Sequence, residues 1–183
     1  LLDLGMTPSL GREVSRLKHK PENYHELRTV VRSLETVFII IALVIVCAIF
    51  LSSNWIATEW LTVTHLDLKD VSICIEIMAF MVGFRWISAL YKSGVYAFEQ
   101  QVWASTIDLV FVTLRFPIAL AVIIISDGNL ILYFSYQLIL AAAECIVYIA
   151  KLSTLMPACE ERVKFSKVSL ARIAPFALAI GYT

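Results

Sequence analysis

The chain has 183 residues, of which 60% are hydrophobic and 16% are charged, and its mean hydropathy is +0.81. A soluble domain is closer to half apolar, so this composition excludes an ordinary water-soluble protein and predicts an integral membrane protein. The formal net charge is zero, so total charge does not decide for or against an acidic partner, and we expect no nucleic-acid partner.

Four stretches contain the roughly twenty mostly apolar residues that a membrane-spanning helix needs. In chain order they are residues 36–56, 71–91, 106–125 and 130–150. Residues 1–6 look like the end of an earlier span, and residues 173–183 like the start of a later one. We therefore expect a piece of a longer, all-α membrane protein, with a cytoplasmic linker over residues 151–172.

The segments between these spans are predicted loops. Residues 57–70 and 92–105 contain too few apolar residues to continue the spans. The sequence Ser-Asp-Gly-Asn at 126–129 predicts a tight turn, because Asp and Gly adopt the backbone angles that such turns require. This turn makes the third and fourth spans antiparallel neighbours.

Lysines and arginines are concentrated in alternate loops, which predicts the orientation in the membrane. Residues 11–32 contain six of them, residues 151–172 contain five, and Lys92 adds one, whereas Lys69 is the single one in the other loops. We expect residues 11–32 and 151–172 to be cytoplasmic. The basic segment also predicts two helices, with Arg12 and Arg16 on one face, and it either sets this orientation or binds anionic lipid head groups.

Five ionisable residues fall inside the predicted spans: Glu76, Arg85, Asp108, Arg115 and Glu144. Asp108 and Arg115 are seven residues apart, so they share a helix face with Cα atoms roughly 10 Å apart. A central Arg costs about 2.5–3.5 kcal/mol on insertion scales, so it must face protein or a wet cavity.

Two interpretations of these charges remain open. In the first, an Arg–Glu pair, such as Arg115 or Arg85 with Glu144, locks the bundle. In the second, Arg115 and Arg85 bind an anionic substrate, while Asp108, Glu144 and Glu76 act as counter-charges or ion-coupling carboxylates. Pro117, two residues after Arg115, predicts a kink that serves either static packing or a hinge.

The sequence predicts neither an enzyme nor a metal site. It contains no phosphate-binding glycine loop, no HExxH motif and no GxSxG motif. The four cysteines lack metal-ligand spacing, so we expect free thiols, no metal and no cofactor.

Several stretches resemble Wzx-type O-antigen flippases of the multidrug/oligosaccharidyl-lipid/polysaccharide exporter superfamily. They are "DLGMTPSLGREVSRLK" with "LRTVVRSLETVFIIIALVI", then "LYKSGVYAFEQQV", "TLRFPIALAVIII" and "YFSYQLILAAAECIVYIAKL". The resemblance covers nearly the whole chain. It departs at Glu99-Gln100-Gln101, where the family often has Gln-Arg-Gln, and at Arg85, where an uncharged polar residue is expected.

The resemblance implies a two-lobed helical transporter, with residues 1–172 as most of the first lobe. It implies transfer of an undecaprenyl-diphosphate-linked oligosaccharide to the periplasmic leaflet of the bacterial inner membrane, by alternating access and with ion coupling. The implied partners are this lipid-linked substrate, membrane lipids, and polysaccharide polymerase and chain-length proteins. The alternatives are a multidrug exporter of the same superfamily, a membrane-embedded glycosyl- or acyltransferase, and a structural membrane subunit.

Overall fold

A computed structural model describes residues 6–17, 24–60 and 67–156, and these residues form helices joined by turns. The predicted partial spans at 1–6 and 173–183, apart from Met6, and most of the predicted linker at 151–172 lie outside this described part. The elements in chain order are α1 (Met6–Leu17), α2 (Tyr24–Trp55) with a π-helical turn (Ile56–Trp60), α3 (Leu68–Ala97), α4 (Gln101–Thr113), a second π-helical turn (Leu114–Ile118), α5 (Ala119–Ile125) and α6 (Leu130–Leu155).

Four of these helical stretches are long and apolar enough to cross a membrane: Tyr24–Glu59, Leu68–Ala97, Gln101–Ile125 and Leu130–Leu155. They contain the four predicted spans, so the prediction of an all-α membrane protein is confirmed. Many of their large apolar side chains are exposed, including Leu51, Leu109 and Ile124. In a bilayer these side chains face lipid, which explains why the helices keep an apolar outer surface.

The predicted loop at 92–105 is wrong. Helix α3 continues to Ala97 and α4 begins at Gln101, so the connection is a short turn in which Glu99 has a φ of 61°. A helix can continue through polar residues at the membrane margin when a neighbouring helix packs against it. Here α6 packs closely on α3. A Cβ at Gly94 would lie 2.9 Å from Leu152 Cδ2, so glycine allows this close approach.

Of the other two connections, the one predicted at 57–70 is shorter than expected, and the turn at 126–129 matches its prediction. The first span extends to Trp60, and Asp67 caps the start of α3 by accepting a hydrogen bond from the Lys69 amide. The turn before α6 agrees with its sequence: Asp127 and Gly128 have φ values of 51° and 82°. The next residue, Asn129, caps α6.

Helix α3 is central, because it contacts α1, α2, α4 and α6. One end of the bundle contains the start of α2, the turn at 98–100 and the end of α6, and we call it the basic end. The opposite end, with residues 67 and 126–129, is the far end. Helix α1 packs at the basic end through Leu10, Val14 and Leu17, which are buried there with residues of α2, α3 and α6. Which membrane side the basic end faces stays a prediction.

Candidate functional site

The middle of the bundle contains a direct ion pair between two spans. Arg115, on the second π-helical turn, places Nη2 2.6 Å from Oε2 of Glu144 on α6. Both side chains are largely buried, with exposed fractions of 21% and 16%. Each residue lies within about one helical turn of the midpoint of its span. The structural and the binding interpretations both require these residues to be close, and the structure brings them together.

A second arginine lies beside this pair. Arg85 on α3 is close enough for its charge to interact with those of Arg115 and Glu144. Its side chain is exposed, and it forms no ion pair or hydrogen bond within the described residues. Arg85, Arg115 and Glu144, which we call the middle cluster, therefore contain two positive charges and one negative charge.

Helix α6 also holds the backbone next to Arg115. Pro117 lies inside the π-helical turn, where the regular helical hydrogen-bond pattern is interrupted. Tyr136 Oη donates to the Leu114 carbonyl at 2.9 Å, and Gln137 Nε2 donates to the Arg115 carbonyl at 3.1 Å. The kink expected at Pro117 is thus a local π turn, braced by two α6 side chains.

Two buried polar atoms of this region lack a partner. Arg115 Nε and Gln137 Oε1 have no hydrogen bond within the described residues, although both are shielded from solvent. Buried polar groups are normally hydrogen-bonded, so an unpaired guanidinium nitrogen indicates capacity for another acceptor. Tyr136 and Gln137 are not among the site residues predicted from the sequence. The proline two residues after Arg115 was the available signal, because a disturbed helix needs donors from a neighbour.

Asp108 does not lie against either arginine. Its Oδ2 is 2.5 Å from Lys92 Nζ, and Tyr148 Oη donates to its Oδ1 at 2.7 Å. The partner is a lysine because α3 continues past the predicted end of its span and carries Lys92 to the level of Asp108. The expectation that Asp108 balances an arginine is therefore corrected.

Aromatic rings surround the Lys92–Asp108 pair. Lys92 Nζ lies 5.8 Å from the centre of the Tyr148 ring, and the Trp103 ring meets that ring edge-on at 5.8 Å. Such contacts stabilise a cation and fix aromatic geometry. We call Lys92, Asp108, Tyr148 and Trp103 the end cluster, because it lies near the basic end. Lys92 and Asp108 neutralise each other within it, and Lys151 Nζ lies 4.9 Å from the centre of the Trp103 ring at its edge.

Glu76 is in a different place from the other intramembrane charges. It lies between α2 and α3 toward the far end, where Ser53 Oγ donates to its Oε1 at 3.2 Å. It therefore takes no part in the middle cluster.

Within residues 6–17, 24–60 and 67–156, no group of three or more His, Cys, Asp or Glu side chains could hold a metal ion. Cys47 is exposed, Cys74 and Cys145 are buried, and all three are free thiols. Cys159 lies outside the described residues.

Comparison with known proteins adds no further information on the site, because no protein-family model, curated protein or solved structure matches the chain.

Proposed function

We propose that the chain forms part of a transporter that moves a lipid-linked oligosaccharide with an anionic diphosphate from the cytoplasmic to the periplasmic leaflet of a bacterial inner membrane. Transport is by alternating access and is ion-coupled. The observation that carries the proposal is the charge imbalance of the middle cluster, where Arg115 pairs with Glu144 and the exposed Arg85 lies within electrostatic range of both.

A purely structural lock does not explain the second arginine. One Arg and one Glu are enough to neutralise each other, and the pair of Arg115 and Glu144 is already complete. An additional arginine at this depth costs about 2.5–3.5 kcal/mol of insertion free energy on the lowest scales. An anionic ligand offsets this cost because it supplies the missing negative charge.

The chemistry of the two side chains suits a diphosphate. A guanidinium donates two parallel hydrogen bonds to phosphate oxygens, and two guanidinium groups match the two phosphates of a diphosphate. Arg115 still has its buried Nε without a partner in the described part of the chain. The oligosaccharide and its polyprenyl carrier come from the sequence resemblance, which names this substrate class.

The π-helical turn supports a moving helix. Alternating access requires a span that changes shape near the substrate, and π turns and prolines are common points of such change. Here Pro117 lies two residues from Arg115, so bending at this turn would move the arginine directly.

The test is restoration of surface polysaccharide in a bacterium that lacks its own flippase, with the amount of membrane-inserted protein measured beside it. Arg85→Gln should reduce restoration at least tenfold at normal protein abundance, because the exposed Arg85 has no partner whose loss would destabilise the fold. Arg85→Lys should keep part of the activity, because the charge remains while the fork of donors is lost.

Arg32→Gln is the matched control. Arg32 is 66% exposed and pairs with Glu35 on its own helix, and without the arginine Glu35 still accepts a hydrogen bond from Tyr91 Oη at 2.8 Å. This variant should restore polysaccharide as well as the unaltered protein. Full activity of Arg85→Gln would contradict the proposal, and export of cationic drugs by the unaltered protein would favour the multidrug alternative.

A further inference from the structure

Four oxygen-bearing side chains of α2 and α3 converge toward the far end of the bundle. Ser53 Oγ donates to Glu76 Oε1 at 3.2 Å, and Ser72 Oγ lies 3.0 Å from Asn54 Oδ1 and 3.4 Å from Ser53 Oγ. The two serines are only 1% and 6% exposed. We call Ser53, Asn54, Ser72 and Glu76 the oxygen cluster.

The carboxylate of this cluster has no positive partner within the described residues. Glu76 lies eight residues after Leu68, the first residue of α3, which places it about 12 Å along the span. Lys69 borders the same cavity, but its Nζ is not within ion-pair distance of the carboxylate. One hydrogen bond from Ser53 is weak compensation for a carboxylate inside a membrane span.

We propose that the oxygen cluster binds a monovalent cation of the size of Na⁺. Carboxylate, hydroxyl and amide oxygens are the ligands that hard cations prefer, and the cluster contains no sulfur or imidazole ligand. Its net charge is −1, from Glu76 alone. A monovalent ion neutralises this charge, whereas a divalent ion would leave a positive charge in the membrane.

The spacing of the oxygens agrees with such an ion. Cations of this size hold oxygen ligands at about 2.3–2.6 Å, which puts neighbouring ligands roughly 3.3–3.7 Å apart in octahedral geometry. Consecutive oxygens, from Asn54 through Ser72 and Ser53 to Glu76, are 3.0, 3.4 and 3.2 Å apart, which is at or just below this separation. A small outward shift of the side chains therefore converts their mutual hydrogen bonds into ion contacts. The larger K⁺ requires a wider separation.

A cavity of about 320 Å³ connects the cluster with the far end of the bundle. This volume holds several water molecules, which can complete the coordination of an ion and provide its route of entry. Lys69 on the cavity wall repels any cation, and it repels a divalent ion about twice as strongly as a monovalent one.

The test measures the thermal unfolding midpoint of the purified, full-length protein while NaCl replaces choline chloride at constant ionic strength. An ion that binds only the folded state raises the midpoint with its concentration, following its dissociation constant. The unaltered protein should show this Na⁺-dependent rise. Glu76→Gln and Ser72→Ala should each weaken the apparent Na⁺ affinity at least tenfold.

Two controls separate the site from general effects of charge and packing. Glu59→Gln removes an exposed carboxylate near the same end, and Ser88→Ala removes a buried hydroxyl elsewhere on α3. Both should keep the Na⁺ response. As the source of ion coupling the site rests on the proposed transporter, but the titration contains no transport substrate, so a missing Na⁺ response and a missing flippase activity are separate results.

Any of four results would overturn the site. The first three are an equal midpoint in Na⁺ and choline, a stronger response to Ca²⁺ than to Na⁺, and an unchanged Na⁺ response in Ser72→Ala. Stabilisation by acid alone, without a Na⁺ effect, would also overturn it, because Glu76 would then be neutralised by a proton. If Glu76→Gln fails to fold, the titration of Ser72→Ala against Ser88→Ala still decides between the outcomes.

Discussion

The middle cluster and the end cluster both join α3, the third span and α6 through charged side chains, but they differ in charge balance. In the end cluster, Lys92 and Asp108 neutralise each other, and the Tyr148 hydroxyl satisfies the second carboxylate oxygen. In the middle cluster, Arg115 pairs with Glu144 while Arg85 adds a second positive charge.

This difference indicates different roles. A balanced pair with satisfied oxygens fixes neighbouring helices and has no need of a ligand. An unbalanced cluster lacks one negative charge. An anionic substrate supplies that charge when it binds and takes it away when it leaves. We therefore interpret the end cluster as a structural tie and the middle cluster as a binding site.

The largest effect on stability is expected from breaking the end cluster. Asp108→Asn should lower the free energy of unfolding by about 1–2 kcal/mol, less than for a fully buried pair, because Lys92 and Asp108 are 33% and 27% exposed. The loss arises from a lysine left without its carboxylate. Protein abundance and the thermal unfolding midpoint in detergent measure it.

The double variant Lys92→Gln with Asp108→Asn is the control for this tie. It should recover most of the lost stability and transport, because neither charge remains unpaired. If the double variant is stable but inactive, Asp108 is a functional carboxylate, and the assigned difference between the two clusters is wrong.

A smaller effect is expected at the π-helical turn. Pro117→Ala restores a backbone N–H and favours a regular helix, so the turn should lose part of its freedom to bend. Transport should slow a few-fold, with a smaller change in protein abundance. The transport rate of reconstituted protein measures this, and an unchanged rate would make Pro117 a static packing feature.

The spans could be predicted from the sequence because lipid requires long apolar helices, and this requirement is local. Their ends could not be located in the same way. Lys92 looks like a loop residue, yet Gly94 packs against Leu152 and the helix continues to Ala97. Tertiary contacts, which a hydropathy pattern does not contain, hold these last turns.

The site was predictable in part for the same reason. The depth of Arg85, Arg115 and Glu144 follows from counting residues along each span. Which of the two arginines pairs with Glu144 does not follow, because it depends on how the helices are rotated. Asp108 and Arg115 share a helix face but lie about 10 Å apart along the span, so each meets the side chains at its own depth, Lys92 for Asp108 and Glu144 for Arg115.

The most direct test of the central claim is the affinity of purified, full-length protein for a polyprenyl-diphosphate-linked sugar. Arg115→Ala with Glu144→Gln removes the pair but leaves no unpaired carboxylate, and it should weaken binding at least tenfold in a folded protein. Lys92→Gln with Asp108→Asn should bind like the unaltered protein. Equal affinity of all three proteins would contradict the account, because Arg115 would then be only a lock for the bundle.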